Sequence, residues 1–88
     1  MRKNDVDFIK NDNSICIGAN IRRIRLERGL GQTQLVAQLQ VEGVNITRQA
    51  LVKIESSTQH VKATQFKAIK KVLNCSYDDL LQEKEMEE

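Results

Sequence analysis

Proline and tryptophan are absent from this 88-residue sequence, and Phe8, Phe66 and Tyr77 are its only aromatic residues. Hydrophobic residues make up 40% of the chain and are mostly Ile, Leu and Val. A chain of this length fits one domain with a thin core. This composition disfavours a β-sandwich with Pro- and Gly-rich turns, so we expect a compact all-α domain.

Long apolar runs are also missing: none approaches the roughly 20 residues that cross a bilayer. The first ten residues, MRKNDVDFIK, carry charges where a signal peptide has its apolar stretch. We therefore expect a cytoplasmic protein with no membrane partner. Cys16 and Cys75 are far apart and lack a CxxC or Cys/His set, and His60 is alone. This pattern favours two buried thiols over a disulfide or metal site, and no cofactor is expected.

The net charge of +2 conceals two regions of opposite charge. Residues 1–77 carry 13 Lys and Arg against 6 Asp and Glu, a net of +7, whereas residues 78–88 carry 1 against 6, a net of −5. A basic body indicates a polyanionic partner. The indication is weak by itself, because many small domains with other functions are equally basic.

The hydrophobic pattern divides the chain into three parts. Residues 1–13 mix charges and Asn without a period and are predicted to form a flexible or loosely docked arm, with Phe8 and Ile9 as candidate anchors. Residues 14–82 are predicted to form the folded domain, and residues 83–88 an acidic, frayed tail. The periodicity predicts five helices, over residues 14–29, 31–40, 48–56, 63–74 and 76–81.

Polar residues mark the predicted helix ends. Asn13 or Ser14 is the candidate N-cap of the first helix, and Thr47 is that of the third. Asn74 is predicted to take a left-handed conformation after the fourth helix. The sequence SYDD at 76–79 predicts a capping box at the start of the fifth.

The third predicted helix, within NITRQALVKIE, has two distinct faces. Ala50, Leu51 and Ile54 form its inward stripe. The residues that point away from this stripe are Arg48, Gln49, Val52, Lys53 and Ser56. Arg and Lys bond guanine O6 and N7, Gln bonds adenine N6 and N7, and a valine contacts the thymine methyl group. The outer face therefore carries side chains that a DNA-reading helix needs.

Most surface helices carry polar residues that contact only water, so the third helix alone does not distinguish solvent from DNA. Its combination with the second helix favours DNA. A short helix, a turn and a second capped helix, with small Ala50 at the contact, is the arrangement that lays one helix across a phosphate backbone and the next in the major groove.

Three segments carry a resemblance to a known family: IGANIRRIRLERGLGQTQLVAQLQ, ITRQALVKIE and FKAIKKVLNCSYDDLL. Over residues 17–81 the chain resembles the Cro and phage-repressor type of helix-turn-helix DNA-binding domain, the XRE family. The resemblance implies a compact five-helix, lambda-repressor-like fold whose second and third helices form the helix-turn-helix. It also implies a transcriptional regulator of the repressor type, from a bacterium, phage or mobile element, that binds specific sequences of double-stranded DNA.

The resemblance also implies roles for individual residues. Arg48, Gln49 and Lys53 match the base-contacting positions of the third helix, and Val52 lies among them. Gln32 matches a glutamine that bonds a DNA phosphate and braces the first base-reading residue.

Four further assignments concern the ends of the third helix, an ion pair, phosphate contacts and a solvated face. Thr47 and Ser56 match positions that cap the third helix or contact phosphates. Arg25 and Glu55 match a pair that forms a partly buried ion pair in several members. The further basic residues that are candidates for phosphate contacts are Arg22, Arg23, Arg28 and Lys62. The lysines predicted to form a solvated face are Lys67, Lys70 and Lys71.

The sequence departs from the family pattern at several positions. Gly31 replaces the usual polar cap of the second helix, Val36 replaces a small residue, and Ser57 stands where a glycine often ends the third helix. The segment VEGVNI at 41–46 makes the connection between the second and third helices about four residues longer than its commonest form. We expect the fold to accommodate this longer turn, with an effect on the angle of the third helix.

The leading hypothesis is a sequence-specific DNA-binding regulator that acts as a homodimer, at least on DNA. Leu80 and Leu81, or the arm with Phe8 and Ile9, are the candidate dimer contacts. The alternative is an antitoxin-like or adaptor module that uses the same fold to bind a protein. An enzyme is disfavoured, because the sequence has no catalytic cluster or phosphate-binding glycine loop. No small-molecule ligand is expected in so short a chain.

Overall fold

A computed structural model describes residues 8–9 and 15–83 of the chain. Within these residues the chain is mostly helical, which confirms the predicted all-α class. The helices are α1 (Ile17–Glu27), α2 (Gln32–Val41), α3 (Arg48–Glu55), α4 (Ala63–Leu73) and α5 (Tyr77–Leu80). Two short strands, β1 (Phe8–Ile9) and β2 (Val61–Lys62), pair in antiparallel fashion.

Apolar side chains from all five helices meet in one core. The residues almost fully buried there are Ile21, Leu35, Leu39, Leu51, Ile54, Ile69, Leu73 and Leu80. Helix α3 packs against both α1 and α2, while α4 packs against α2 and α1. The inner stripe of α3 is therefore held from two sides, which leaves only its outer face to solvent.

The first helix begins at Ile17 and not, as the sequence predicts, at Ser14. Its N-cap, Cys16, has extended backbone angles, and Ile15 forms an isolated antiparallel bridge with Glu83. Pairing with the C-terminal segment keeps this backbone extended, so the helix starts later. The candidate caps Asn13 and Ser14 lie outside the described residues.

The other predicted caps are confirmed. The Thr47 side chain accepts a hydrogen bond from the Ala50 backbone N–H at 3.0 Å, and Asn74 has a left-handed φ of 54°. Ser76 and Asp79 form the predicted reciprocal capping box, with distances of 3.0 and 3.1 Å. Helix α3 ends one residue earlier than expected, at Glu55, and Ser56 is its C-cap.

The long connection between α2 and α3 is anchored at both ends. Gly43 takes a positive φ of 88°, a conformation that costs glycine little. Val44 packs on the core and Ile46 is almost completely buried. The Gln40 side-chain amide also donates a hydrogen bond to the Ile46 carbonyl oxygen at 3.2 Å. The turn that distinguishes this sequence is thus folded onto the domain.

Three expectations need correction or restriction. Cys16 and Cys75 form no disulfide, as predicted, but each is half-buried and not buried. Leu80 is fully buried in the chain's own core, so it is not exposed for a dimer contact, whereas Leu81 is only partly buried against that core. Apart from Phe8 and Ile9, whose backbones form β1, the predicted arm lies outside the described residues, as does the tail beyond Glu83.

Candidate functional site

The two faces of α3 differ sharply. Leu51, Ile54 and Glu55 point inward and are buried. The exposed residues on its other side surround one shallow surface hollow, and they are Arg48, Gln49, Val52 and Lys53. The four side chains that the sequence predicts to contact bases therefore share one surface.

The polar side chains of this surface are not used by the fold. Within residues 8–9 and 15–83, no side-chain hydrogen bond or ion pair connects Arg48, Gln49 or Lys53 to another residue. Val52 is 37% exposed although it is a β-branched apolar residue. A face that contributes nothing to internal bonding and exposes a valine is available to a partner.

Helix α3 is fixed at its C-terminal end by a buried ion pair. The Arg25 guanidinium donates from Nε to Glu55 Oε2 at 2.7 Å and from Nη2 to Glu55 Oε1 at 2.9 Å. Arg25 Nη1 donates to the Leu30 carbonyl oxygen at 2.8 Å. Because each nitrogen of the Arg25 guanidinium and each carboxylate oxygen of Glu55 forms a hydrogen bond, the pair tolerates burial between α1 and α3.

Gln32 completes this network from the start of α2. Its Nε2 donates a hydrogen bond to Glu55 Oε1 at 3.1 Å. The resemblance implies that this glutamine braces the first base-reading residue, Arg48, yet its observed partner is Glu55. One amide N–H is occupied by that bond, and the other remains for a second acceptor. Three helices thus meet at the Glu55 carboxylate.

Helices α1 and α3 also approach each other closely at Gly18, a position that no sequence motif marks. A side-chain carbon at Gly18 would collide with the Ile54 carbonyl oxygen, and it would also crowd the backbone of Glu55. A glycine inside a helix costs about 1 kcal/mol relative to alanine. That cost is the one signal in the sequence that Gly18 has a packing role.

The remaining predicted phosphate contacts fall into two groups. Arg22 and Lys62 are exposed, and their side chains bond no other residue that the structure describes. Arg23 points to the side of α1 opposite Arg25, since residues two apart do not share a helix face. Its guanidinium contacts Glu27, the Asp79 carbonyl oxygen and Gln82. Arg23 therefore holds the C-terminal segment against α1, away from α3.

Arg28 is likewise used by the fold. Its Nε donates to the Leu73 carbonyl oxygen at 2.8 Å and its Nη2 to the Asn74 carbonyl oxygen at 3.1 Å. These carbonyls lie at the C-terminus of α4, where a cation also complements the helix dipole. Arg28 is thus a helix-capping residue and stands apart from the outer face of α3.

The structure places the three single-residue departures noted in the sequence as follows. Gly31 has no side chain to cap the N–H groups in the first turn of α2, and the Gln34 side-chain oxygen accepts a hydrogen bond from the N–H of Gly31 itself at 2.7 Å. Val36 is buried in the core. Ser57, in the position of the expected glycine, takes a left-handed φ of 66°. The first two positions are accommodated without strain, and the third is not.

The described residues contain no group of three or more His, Cys, Asp and Glu side chains that could hold a metal ion. No helix in the described part of the chain has the length and apolar character to cross a membrane. Comparisons with protein-family models, curated proteins and solved structures find no match to this chain. Any assignment of function therefore rests on the chain's own residues.

Proposed function

We propose that this chain is a sequence-specific double-stranded DNA-binding protein, a transcriptional regulator of the Cro and phage-repressor type. In this proposal α2 and α3 act as a helix-turn-helix, and α3 enters the major groove. The observation that carries the proposal is the outer face of α3, where Arg48, Gln49, Val52 and Lys53 are exposed around one hollow. Nothing in the described fold competes for the polar side chains among them.

The chemistry of this face suits base edges. Arg48 and Gln49 lie in the first turn of α3, at the end that a reading helix inserts most deeply. A guanidinium matches the two acceptors of guanine, and a carboxamide matches the donor and acceptor of adenine. Lys53 adds a second cation one turn later, and Val52 offers an apolar contact to a thymine methyl group.

Phosphate contacts complete the proposed interface. Thr47 and Ser56 stand at the two ends of α3, while Arg22 and Lys62 supply exposed positive charges. The second amide N–H of Gln32 is the donor proposed for a phosphate near α2. Such contacts position the protein and make binding dependent on salt, but they do not read sequence.

The rigidity of α3 supports a reading role. Its inner stripe is buried against α1 and α2, and its C-terminal end is tied by the Arg25–Glu55 pair. Reading residues that are held on a fixed helix lose less entropy on binding than residues on a mobile loop. We also propose that two copies bind one two-fold site, because a single half-site gives limited affinity.

The decisive experiment is a selection of bound duplexes from a random pool, followed by affinity measurements on the selected site. Arg48→Ala, Gln49→Ala and Lys53→Ala should each lose about 1–3 kcal/mol and relax preference at particular base pairs. Lys67→Ala is the matched control, because it removes a lysine from α4 without touching α3. We expect this control to keep the sequence preference.

The proposal fails when all three α3 variants bind the selected duplex with unchanged affinity and preference. Absence of duplex affinity at low salt, together with co-purification of a protein partner, would instead support an antitoxin-like or adaptor module. Sedimentation of the protein with and without the selected duplex tests the second copy. A 1:1 complex on a two-fold site would contradict the proposed homodimer.

A further inference from the structure

A groove lies between the α2–α3 connection and α4, away from the outer face of α3. It has a volume of about 530 Å³, which is within the range of small-molecule sites. Its apolar lining includes Val44, Ala68 and Tyr77, and its charged lining consists of one carboxylate and three lysines. The groove thus combines an apolar wall with an excess of positive charge.

The three lysines belong to one face of α4. Lys67, Lys70 and Lys71 are spaced i, i+3 and i+4, so their side chains leave the helix on the same side. Lys70 Nζ lies 5.2 Å from the centre of the Tyr77 ring, and that ring stacks on Phe66 with centroids 5.5 Å apart. The aromatic wall and the cations are therefore adjacent.

The groove already holds one carboxylate, that of Glu42. Its Oε1 lies 2.8 Å from Lys71 Nζ, and both side chains are partly exposed. An ion pair in such a position contributes little to stability, about 0–1 kcal/mol. The geometry shows that a carboxylate fits beside Lys71, and the low energy of the pair makes Glu42 replaceable.

We propose that this groove binds a small amphiphilic carboxylate, with its head group on Lys71 and Lys67 and its apolar chain along Val44, Ala68 and Tyr77. Charge complementarity favours an anion, since the three lysines and Glu42 give the lining a net charge of +2. The apolar wall favours an anion that carries an apolar chain over a simple anion such as acetate. The ligand carboxylate takes the place of Glu42 beside Lys71.

The test is a titration of the protein with octanoate in the absence of DNA, in which NMR records the backbone amide chemical shifts at each octanoate concentration. Acetate tests the head group without the chain, and octanamide tests the chain without the charge. We expect saturable shifts confined to residues 42–44, α4 and Tyr77 with octanoate only. Because no DNA is present, the result does not depend on whether the protein binds DNA.

Variants make the assignment specific. Lys71→Gln is expected to weaken octanoate binding at least fivefold, and Thr64→Trp, at an exposed position on the groove's rim, to abolish it by filling the space. Glu42→Gln should strengthen binding, because it removes the competing carboxylate. Lys53→Gln is the matched control outside the groove. Unchanged affinity in Lys71→Gln and Thr64→Trp, or shifts scattered over the surface, would overturn the proposal.

Discussion

Arg25 on α1 and Glu55 on α3 form a bidentate ion pair, with N–O distances of 2.7 and 2.9 Å and both side chains buried. Thirty positions separate the two residues in the chain. The pair fixes the end of the helix that carries the proposed reading face. Gln32 joins it from α2, so that one carboxylate connects three helices.

Removing one member of this pair should be strongly destabilising. Arg25→Met leaves the Glu55 carboxylate buried without its partner, and we expect a loss of about 3–5 kcal/mol in the free energy of unfolding. The double variant Arg25→Met/Glu55→Leu removes both charges and should recover most of that loss. Urea denaturation measures the free energy of unfolding of both variants. A double variant no more stable than Arg25→Met would contradict the explanation by an unpaired buried charge.

Gly18→Ala should separate α1 from α3. The added methyl group meets the Ile54 carbonyl oxygen, which is backbone and cannot turn aside. We expect a loss of about 3 kcal/mol or failure to fold, despite the higher helix propensity of alanine. Gly31→Ala is the control, because only the flexible Gln34 side chain lies near its added carbon. The close contact would be refuted by a Gly18→Ala protein of unchanged thermal stability.

Ser57→Gly should stabilise the protein. Ser57 has a φ of 66°, a conformation that costs an ordinary residue about 1–2 kcal/mol. Glycine removes this strain but gives a more flexible unfolded chain, so the expected net gain is about 0.5–1 kcal/mol. Asn74→Gly is the comparison, with a smaller expected gain because asparagine tolerates a left-handed φ. Ser57→Gly also removes the 3.0 Å contact between Ser57 Oγ and Cys16 Sγ, so Ser57→Ala, which removes the contact but keeps the positive φ, is the reference. The strain would be refuted if urea denaturation showed Ser57→Gly to be no more stable than Ser57→Ala.

The capping box of α5 should respond to pH. Hydrogen bonds from the backbone and side chain of Ser76 lower the pKa of the exposed Asp79 carboxylate below its ordinary value of 3.8. Because the folded pKa is the lower one, the contribution to stability is complete above pH 3.8 and is lost as the pH falls through the folded pKa. Acid unfolding, monitored by circular dichroism, measures the loss of stability. NMR titration measures the pKa of Asp79.

Variants at Ser76 separate the cap from the general effect of acid. Ser76→Ala keeps the backbone N–H that donates to Asp79 Oδ2 and removes only the hydroxyl group, so it should raise the pKa of Asp79 part of the way towards its ordinary value. It should also cost about 1 kcal/mol through loss of the N-cap. Ser76→Thr keeps the hydroxyl group and should leave the pKa low. An unchanged Asp79 pKa in Ser76→Ala would show that the hydroxyl group of Ser76 does not contribute to the low pKa.

Local patterns in the sequence determined the class of the fold, the order of the helices and most of their ends. Thr47, Asn74 and Ser76 act within a few residues of their own positions, so their roles follow from neighbouring residues alone. The division of α3 into an inner and an outer face is likewise a matter of helical period. The residues of the candidate site could therefore be predicted from the sequence alone.

Only the tertiary structure decided which residues are free to act at that site. Arg22 and Arg23 look alike in the sequence, yet Arg23 bonds residues 56 and 59 positions away. The late start of α1 depends on a bridge between Ile15 and Glu83, and the close contact at Gly18 depends on Ile54. These outcomes were decided by residues distant in the chain, which come together only when the domain folds.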